Sequence, residues 1–598
     1  MLPWLVKPDA KLEEDALEFL SIQELGKHLN WFAQLGPRLP GSPEELQAVE
    51  YIRKTLEAYG VSSTVFEFDA YVSSPGYAEL KLLSPEGRII LGKTCLHSAP
   101  TGQEGFEAQM IYLADGTIED YKEADAKGKI VLARLSRSAP HAEKSRIANQ
   151  YGAVGLVIMN WGPIEPEAIA WSSAKSTWGN PTPESWKEIG NMPAVSITRA
   201  DGEYLQRLCT RAPARVRIRT EVVSEWRKCR QLMATIKGAL EPEKYILIHG
   251  HIDTVPGAGV TDNANGISIM LELARLFAQH RTNLGRSVKI AWWTAHENIY
   301  EGSTWFVDTF WEDLDTNCVA HTNVDATGLK GPHKYVARDF SEIREFEEQV
   351  IRQVLGIDAE IIRWDSKDSD QSFWGLGIPS FVERTELEAG PEETGFGWWF
   401  HSEYDTLDKS DLSAIEKVLK SLAIVILRLC NALALPFDFV PVSNEFVDAL
   451  RDLNENAKGS VDLSQEIRKA EELRSQAMKL SDFARRISLD YGHTAEPKQR
   501  ERLQEQVKEL NTCFMKLSRL LNPVLYTVAG RYGQDPIAYS PLLHPIPILQ
   551  PIRNLAMLHQ GSSEFKSLKT KIVQDKNIVS DALRWATEVA TRTEGISP

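Results

Sequence analysis

A histidine that closes an apolar run, with one carboxylate beside it and another a loop later, is a donor set for a divalent cation. The chain places His251 after the run Tyr245 to Ile248, Asp253 just beyond it, and Asp262 within Thr261-Asp262-Asn263-Ala264-Asn265-Gly266. Glu297 follows in Ala295-His296-Glu297, Asp325 in Asn323-Val324-Asp325 and His401 in Phe400-His401-Ser402. Imidazole nitrogen and carboxylate oxygen suit zinc and related ions, and a paired site about 3.5 to 4 Å across needs one carboxylate bridging two terminal sets. Two histidines and three carboxylates supply that set. Asp253 is placed to orient His251 from behind the metal.

Such residues need a scaffold that gathers distant positions at one edge. From about 196 to 436, apolar strands near 245–249, 287–294, 318–324 and 378–382 alternate with amphipathic helices near 264–280, 340–355 and 411–435. That alternation predicts an α/β fold with a mixed, mostly parallel sheet covered by helices on both faces. Ligand sites in open sheets form beyond the carboxyl ends of the strands. His251 follows the first strand, Glu297 the second and Asp325 the third, and His401 sits in the loop after the fourth.

The remaining segments frame this catalytic domain, taken as 196–438. Residues 1–74 read as a helical lead-in, punctuated by Pro40-Gly41-Ser42-Pro43 and followed by an alternating strand from Val61 to Phe68. Residues 75–195 read as an inserted β-rich module, with apolar segments Lys129 to Leu132 and Gly155 to Ile158 and one helical stretch, Ala142 to Tyr151. Residues 439–598 are helical in period, and Leu503, Val507, Leu510, Phe514, Leu517 and Leu521 form a bundle seam that Asn522-Pro523 is expected to end.

A chain of 598 residues exceeds the roughly 250 to 300 at which single cores stop growing, so several domains are expected. A net charge of -16 without a basic face speaks against nucleic acid as a partner. The six cysteines lie far apart with no paired spacing, which predicts reduced thiols and a cytoplasmic protein. No uninterrupted apolar stretch suits a signal peptide or a membrane span, and Leu422 to Leu435 reads as a buried helix.

These motifs, with Pro37-Arg38-Leu39-Pro40-Gly41-Ser42 near the start, resemble those of the zinc aminopeptidase and glutamate carboxypeptidase family, which also contains the inactive transferrin receptor. The resemblance covers roughly 20 to 435. It implies a protease-associated domain at the insert, a homodimer through the helical C-terminus, and two divalent ions, zinc above all. It further implies that His251 and Asp325 hold one ion, Glu297 and His401 the other, and that Asp262 bridges them.

Two positions depart from that family. His296 stands where a glutamate acts as general base; a neutral imidazole can take that role, and a third nitrogen ligand or an inert group are the alternatives. Phe400 stands where a tyrosine hydroxyl stabilises the oxyanion, and phenylalanine has no proton to donate. Arg384 resembles an arginine that holds a substrate carboxylate, and Arg531-Tyr532 lies in a loop placed to reach the pocket. Two divalent ions against Asp262, Glu297 and Asp325 leave one positive charge in excess, which favours an anionic substrate. The expected function is dinuclear hydrolysis of an amide bond in a short peptide, small amide or modified amino acid by metal-activated water, with His296 as base. An inactive receptor-like scaffold and a metal-dependent cyclase or acyltransferase are the competing readings.

Overall fold

A computed structural model describes residues 9–136, 138–189, 191–211, 213–364, 367, 369–388, 395–494, 496–535 and 544–594. Three helices open the chain, Ala10–Phe19, Ile22–Leu35 and Pro43–Ala58, and the side chains of Asp9, Ser21 and Ser42 each accept a backbone N–H of the first turn. Those bonds satisfy donors that a helix start leaves open. Leu25, Leu29 and Phe32 of the second helix are buried in the main core, together with the apolar face of Asn265–Gln279.

Two strands of 23 residues each, Ser62–Ser84 and Ala214–Ile236, pair antiparallel from Ser62↔Thr235 to Ser84↔Arg215. This ribbon passes through two modules. Toward Ile236 it borders Arg286–Trp293, and beyond that strand lie Glu241–His251 and then Cys318–Asn323, the last three mutually parallel. Toward Ala214 it borders Phe106–Tyr112, which leads into the parallel strands Ile130–Arg134, Gly155–Met159 and Ala194–Ile197 of the insert. Leu205 of the helix Arg199–Arg211 shares the insert's core with Ala214, Val216 and Ile218, so that core draws on residues beyond 195.

The segment expected to form the fourth strand, 378–382, departs from expectation. Pro379 accepts a bond from His321 N–H but has no N–H of its own to give to a ladder. Only Ser380 bridges to His321; the strand proper is Phe381–Leu387, paired antiparallel with His333–Asp339 in a separate three-stranded sheet.

Leu412–Asn431 is buried along most of its length. No helix among the described residues is long and apolar enough to cross a membrane. The six cysteines are free thiols, five of them buried. The C-terminal helices Phe439–Asn456, Ser464–His493, Pro497–Tyr526 and Ser563–Glu594 bury the predicted seam and continue the main core. Pro523 does not end its helix, which runs on to Tyr526. The buried Asn522 donates to Glu342 Oε1 at 2.6 Å and to Gly377 O at 3.3 Å, so this turn is held from outside by the catalytic domain.

Candidate metal centre

His251 is the last residue of Glu241–His251, while Glu297 and Asp325 follow the carboxyl ends of its two parallel neighbours. Asp262 lies in the turn before Asn265–Gln279, and His401 lies in the loop beyond Phe381–Leu387, with φ at 57°. The five side chains converge. His251 Nε2 is 3.0 Å from Asp262 Oδ1 and 3.2 Å from Asp325 Oδ1. His401 Nε2 is 3.2 Å from Asp262 Oδ2 and 3.2 Å from Glu297 Oε2.

Asp262 therefore turns one oxygen to each histidine, the geometry of a bridging carboxylate. Glu297 Oε1 is buried with no hydrogen-bond partner, and among the described residues no lysine or arginine pairs with the three carboxylates. A buried carboxylate oxygen without a partner is costly, and a bound cation answers that cost. The residues present fit two divalent ions. Burial opposes charge on both imidazoles, yet the carboxylates outweigh it and hold His251 and His401 well above the ordinary histidine range. Burial likewise opposes charge on Asp262, and the two histidines outweigh it, holding its carboxyl below the usual range.

The surrounding bonds fix which ring nitrogen faces the ions. His251 Nδ1 donates to the main-chain oxygen of Asp253 at 2.9 Å, and His401 Nδ1 to that of Trp171 at 3.2 Å, leaving Nε2 as the lone-pair donor in each. The expected role of Asp253 is thus filled by its carbonyl. Its carboxylate lies 3.9 Å from His251 Nδ1 and instead accepts the N–H groups of His296 and Glu297 at 3.1 and 3.0 Å. Burial pushes that carboxyl up to about 6. Asp405 accepts Thr261 N–H at 2.9 Å and Asp262 N–H at 3.1 Å, and so sets the bridging residue. Arg38, fully buried, donates to Ile252 O at 2.7 Å and Gly259 O at 3.0 Å, clasping both ends of the loop between His251 and Asp262. The roles of Arg38, Asp405 and Trp171 arise from contacts distant in sequence. Arg38 stands in a motif visible in the sequence; Trp171 acts through its backbone and leaves no residue-type signal.

His296 lies against the His251 side of the centre. Its ring stacks on His251 with centroids 3.8 Å apart and planes 9° from parallel. Its Nδ1 is 3.0 Å from Oδ2 of the buried Asp370, and its Nε2 is 3.9 Å from Asp325 Oδ2. A nitrogen lone pair lies in the plane of its ring. One ion within the roughly 2.0 to 2.1 Å of a zinc–nitrogen bond cannot lie in both of two stacked, near-parallel planes. This geometry disfavours His296 as a second nitrogen ligand of the ion facing His251. Burial and His251 oppose charge on His296, but Asp370 and Asp325 prevail and push it up to about 9.

Phe400 stacks on His401 at 3.9 Å and on Phe396 at 5.0 Å, and Arg384 lies over Phe396 at 4.9 Å. Arg384, buried, donates to Glu386 Oε1 at 2.8 Å, so it stands at the far end of a stack of rings that begins at the metal ligand. Trp399 Nε1 donates to Thr261 Oγ1 at 3.2 Å, beneath the site. Arg531 and Tyr532 do not join the group. Arg531 pairs with Asp315, and Tyr532 stacks on Trp311 at 5.4 Å while 82% exposed. Both partners belong to the helix Trp311–Asn317, which enters the strand Cys318–Asn323 at the end opposite Asp325.

Residues 231–426 match the model of peptidase family M28, and residues 98–205 match that of the PA domain. A relative named "Probable glutamate carboxypeptidase" from Zea mays is 24% identical over 498 residues, covering 70% of this chain and 68% of its own. An aminopeptidase of Bacillus subtilis is 25% identical over 395 residues, covering 62% of this chain and 77% of its own. Among solved structures, a peptidase M28 precursor from Shewanella amazonensis aligns with a TM-score of 0.56 at 17% identity, over 70% of this chain and 95% of that one. A zinc aminopeptidase from Bacillus subtilis aligns with a TM-score of 0.53 at 21% identity, over 68% and 94%. At these identities the structural likeness establishes the fold.

Proposed function

From a chain that carries a peptidase family M28 domain and a PA domain, we propose a dinuclear metal-dependent hydrolase that cleaves an amide bond in a short peptide or small amide. One observation carries the reading: Asp262 lies between two imidazoles, 3.0 Å from His251 Nε2 and 3.2 Å from His401 Nε2, with Asp325 on one side and Glu297 on the other. His251, Asp325 and Asp262 would hold one ion, and Glu297, His401 and Asp262 the other. Zinc suits the nitrogen and oxygen donors, and a structural neighbour is titled a zinc aminopeptidase. Two such ions, when bound, supply Lewis-acid chemistry, making a water more acidic and polarising the substrate carbonyl.

The protein's own groups handle position and protons. His296, whose charged form the two cations disfavour when bound, accepts the proton of the attacking water at Nε2 and returns it to the departing nitrogen. Phe400 gives the tetrahedral oxygen no hydrogen bond, and one missing donor typically costs about 10² to 10³ in rate. That loss, with the altered base, favours small amides, modified amino acids or short peptides over general peptide hydrolysis. The same reading includes a homodimer through the C-terminal helices, whose long members expose Met478, Ile578 and Trp585.

The test combines metal analysis of the purified protein with an amide and dipeptide library screened on wild type and His296→Ala. Two ions per chain, turnover of a library member and a kcat loss of about 10² to 10⁴ in the variant are expected. A protein unable to bind metal would be a scaffold. One ion with a cyclised product would make it a transferase, and full activity in the variant would remove His296 from the reaction.

A further inference from the structure

We infer that Asp370 is a positioning residue, and that His296 and Asp370 act as a pair in place of a single carboxylate base; this rests on the function proposed above. His296 Nδ1 lies 3.0 Å from Asp370 Oδ2, and Asp370 is fully buried with its other oxygen unpartnered. In the neutral ring an acceptor at Nδ1 selects the tautomer that carries hydrogen there, so the lone pair is then on Nε2, the nitrogen 3.9 Å from Asp325. The ring has little freedom to leave this pose. One face lies on His251, its edge meets Tyr300 with centroids 4.8 Å apart and planes at 85°, and its backbone N–H is held by Asp253 at 3.1 Å.

The segment that bears Asp370 is anchored from three modules. Tyr300 Oη accepts Ser369 N–H at 2.9 Å from the catalytic domain. Trp178 of the insert donates to Ser372 Oγ at 2.8 Å, and Gln534 of the C-terminal segment donates to Ser372 O at 2.9 Å while accepting from Lys367 Nζ at 2.7 Å. Each of these bonds sets the loop, and none is needed to fold a strand or helix of the sheet.

The resulting step balances. A water O–H bond breaks, its proton goes to Nε2, and its oxygen adds to the carbonyl carbon. The imidazolium, paired with Asp370 through Nδ1–H, then gives that proton to the amide nitrogen as the carbon–nitrogen bond breaks, which yields a carboxylic acid and an amine. Asp370 remains a carboxylate throughout and touches no reacting atom.

The test uses the full-length metal-loaded enzyme as wild type, Asp370→Ala, Asp370→Glu, His296→Ala and the double variant. Asp370→Ala should lower kcat by about 10 to 100-fold, the range for a residue that orients a working imidazole, with KM and metal content unchanged. Asp370→Glu should recover part of the loss, and the double variant should be no slower than His296→Ala. Histidine-selective 15N spectra of the zinc-loaded protein, with His296 identified by its loss in His296→Ala, should show the Nδ1–H tautomer in wild type and a mixture in Asp370→Ala. An unchanged kcat or tautomer in Asp370→Ala, or the same loss in the His296→Ala background, would overturn the inference. If His296→Ala itself keeps full activity, the failure lies in the proposed function instead.

Discussion

Asp262 presents one oxygen to each imidazole, whereas each of the other candidate ligands lies on one side only. Asp262→Ala should therefore leave less than one ion per chain after dialysis, while Glu297→Ala should keep about one, as read by elemental analysis. Equal losses in the two variants would contradict the bridging assignment. The five candidate ligands were legible because each sits beside a strand end or within a short motif whose residue types match metal chemistry. Asp370 was not, since an aspartate in a loop has no distinguishing neighbour until the fold sets it beside His296. Asp253 shows a finer limit: the sequence brings it next to His251, but backbone geometry decides that its carbonyl serves the histidine and its carboxylate serves the next loop.

The elements that carry these residues were mostly anticipated, because near-continuous apolar strands and amphipathic helices follow from local pattern. The exceptions have local causes. Pro379 delays the fourth strand, and the helix through Pro523 continues because Asn522 is fixed by the catalytic domain. The N-terminal helices make a prediction of their own. His28 is buried between Tyr51 Oη at 2.8 Å and Tyr59 Oη at 2.9 Å, and burial pulls its pKa down to about 4 from 6.5. The folded state thus favours the neutral ring. Its contribution to stability is present above pH 6.5 and is lost as pH falls through about 4. At about 1.4 kcal/mol per pH unit the loss is on the order of 3 kcal/mol at most. Urea melts of wild type and His28→Gln between pH 7 and 4.5 should show the wild type weakening more steeply; parallel curves would exclude His28 as the source.

At the scale of the whole molecule, the insert is tied into the centre it covers. Trp171 holds His401 through both backbone groups, and the fully buried Lys175 pairs with Glu301 of the catalytic domain and donates to Asn298 O at 2.8 Å. Removing one partner of such a pair leaves a buried charge, at a cost of roughly 3 to 5 kcal/mol. Lys175→Met should lower the melting temperature by several degrees, and Lys175→Met with Glu301→Leu should recover most of it; a double variant as unstable as the single would show that Glu301 is not the stranded charge. The sequence by itself determined the α/β class, the order of segments and the five candidate ligands, because strand periodicity and residue type are local properties. Only the tertiary structure decided that the insert and the C-terminal helices reach the catalytic loops, that Arg531 and Tyr532 face the other end of the sheet, and that His296 has a buried carboxylate behind it. Those outcomes depend on distances between residues tens to hundreds of positions apart, which spacing along the chain does not encode.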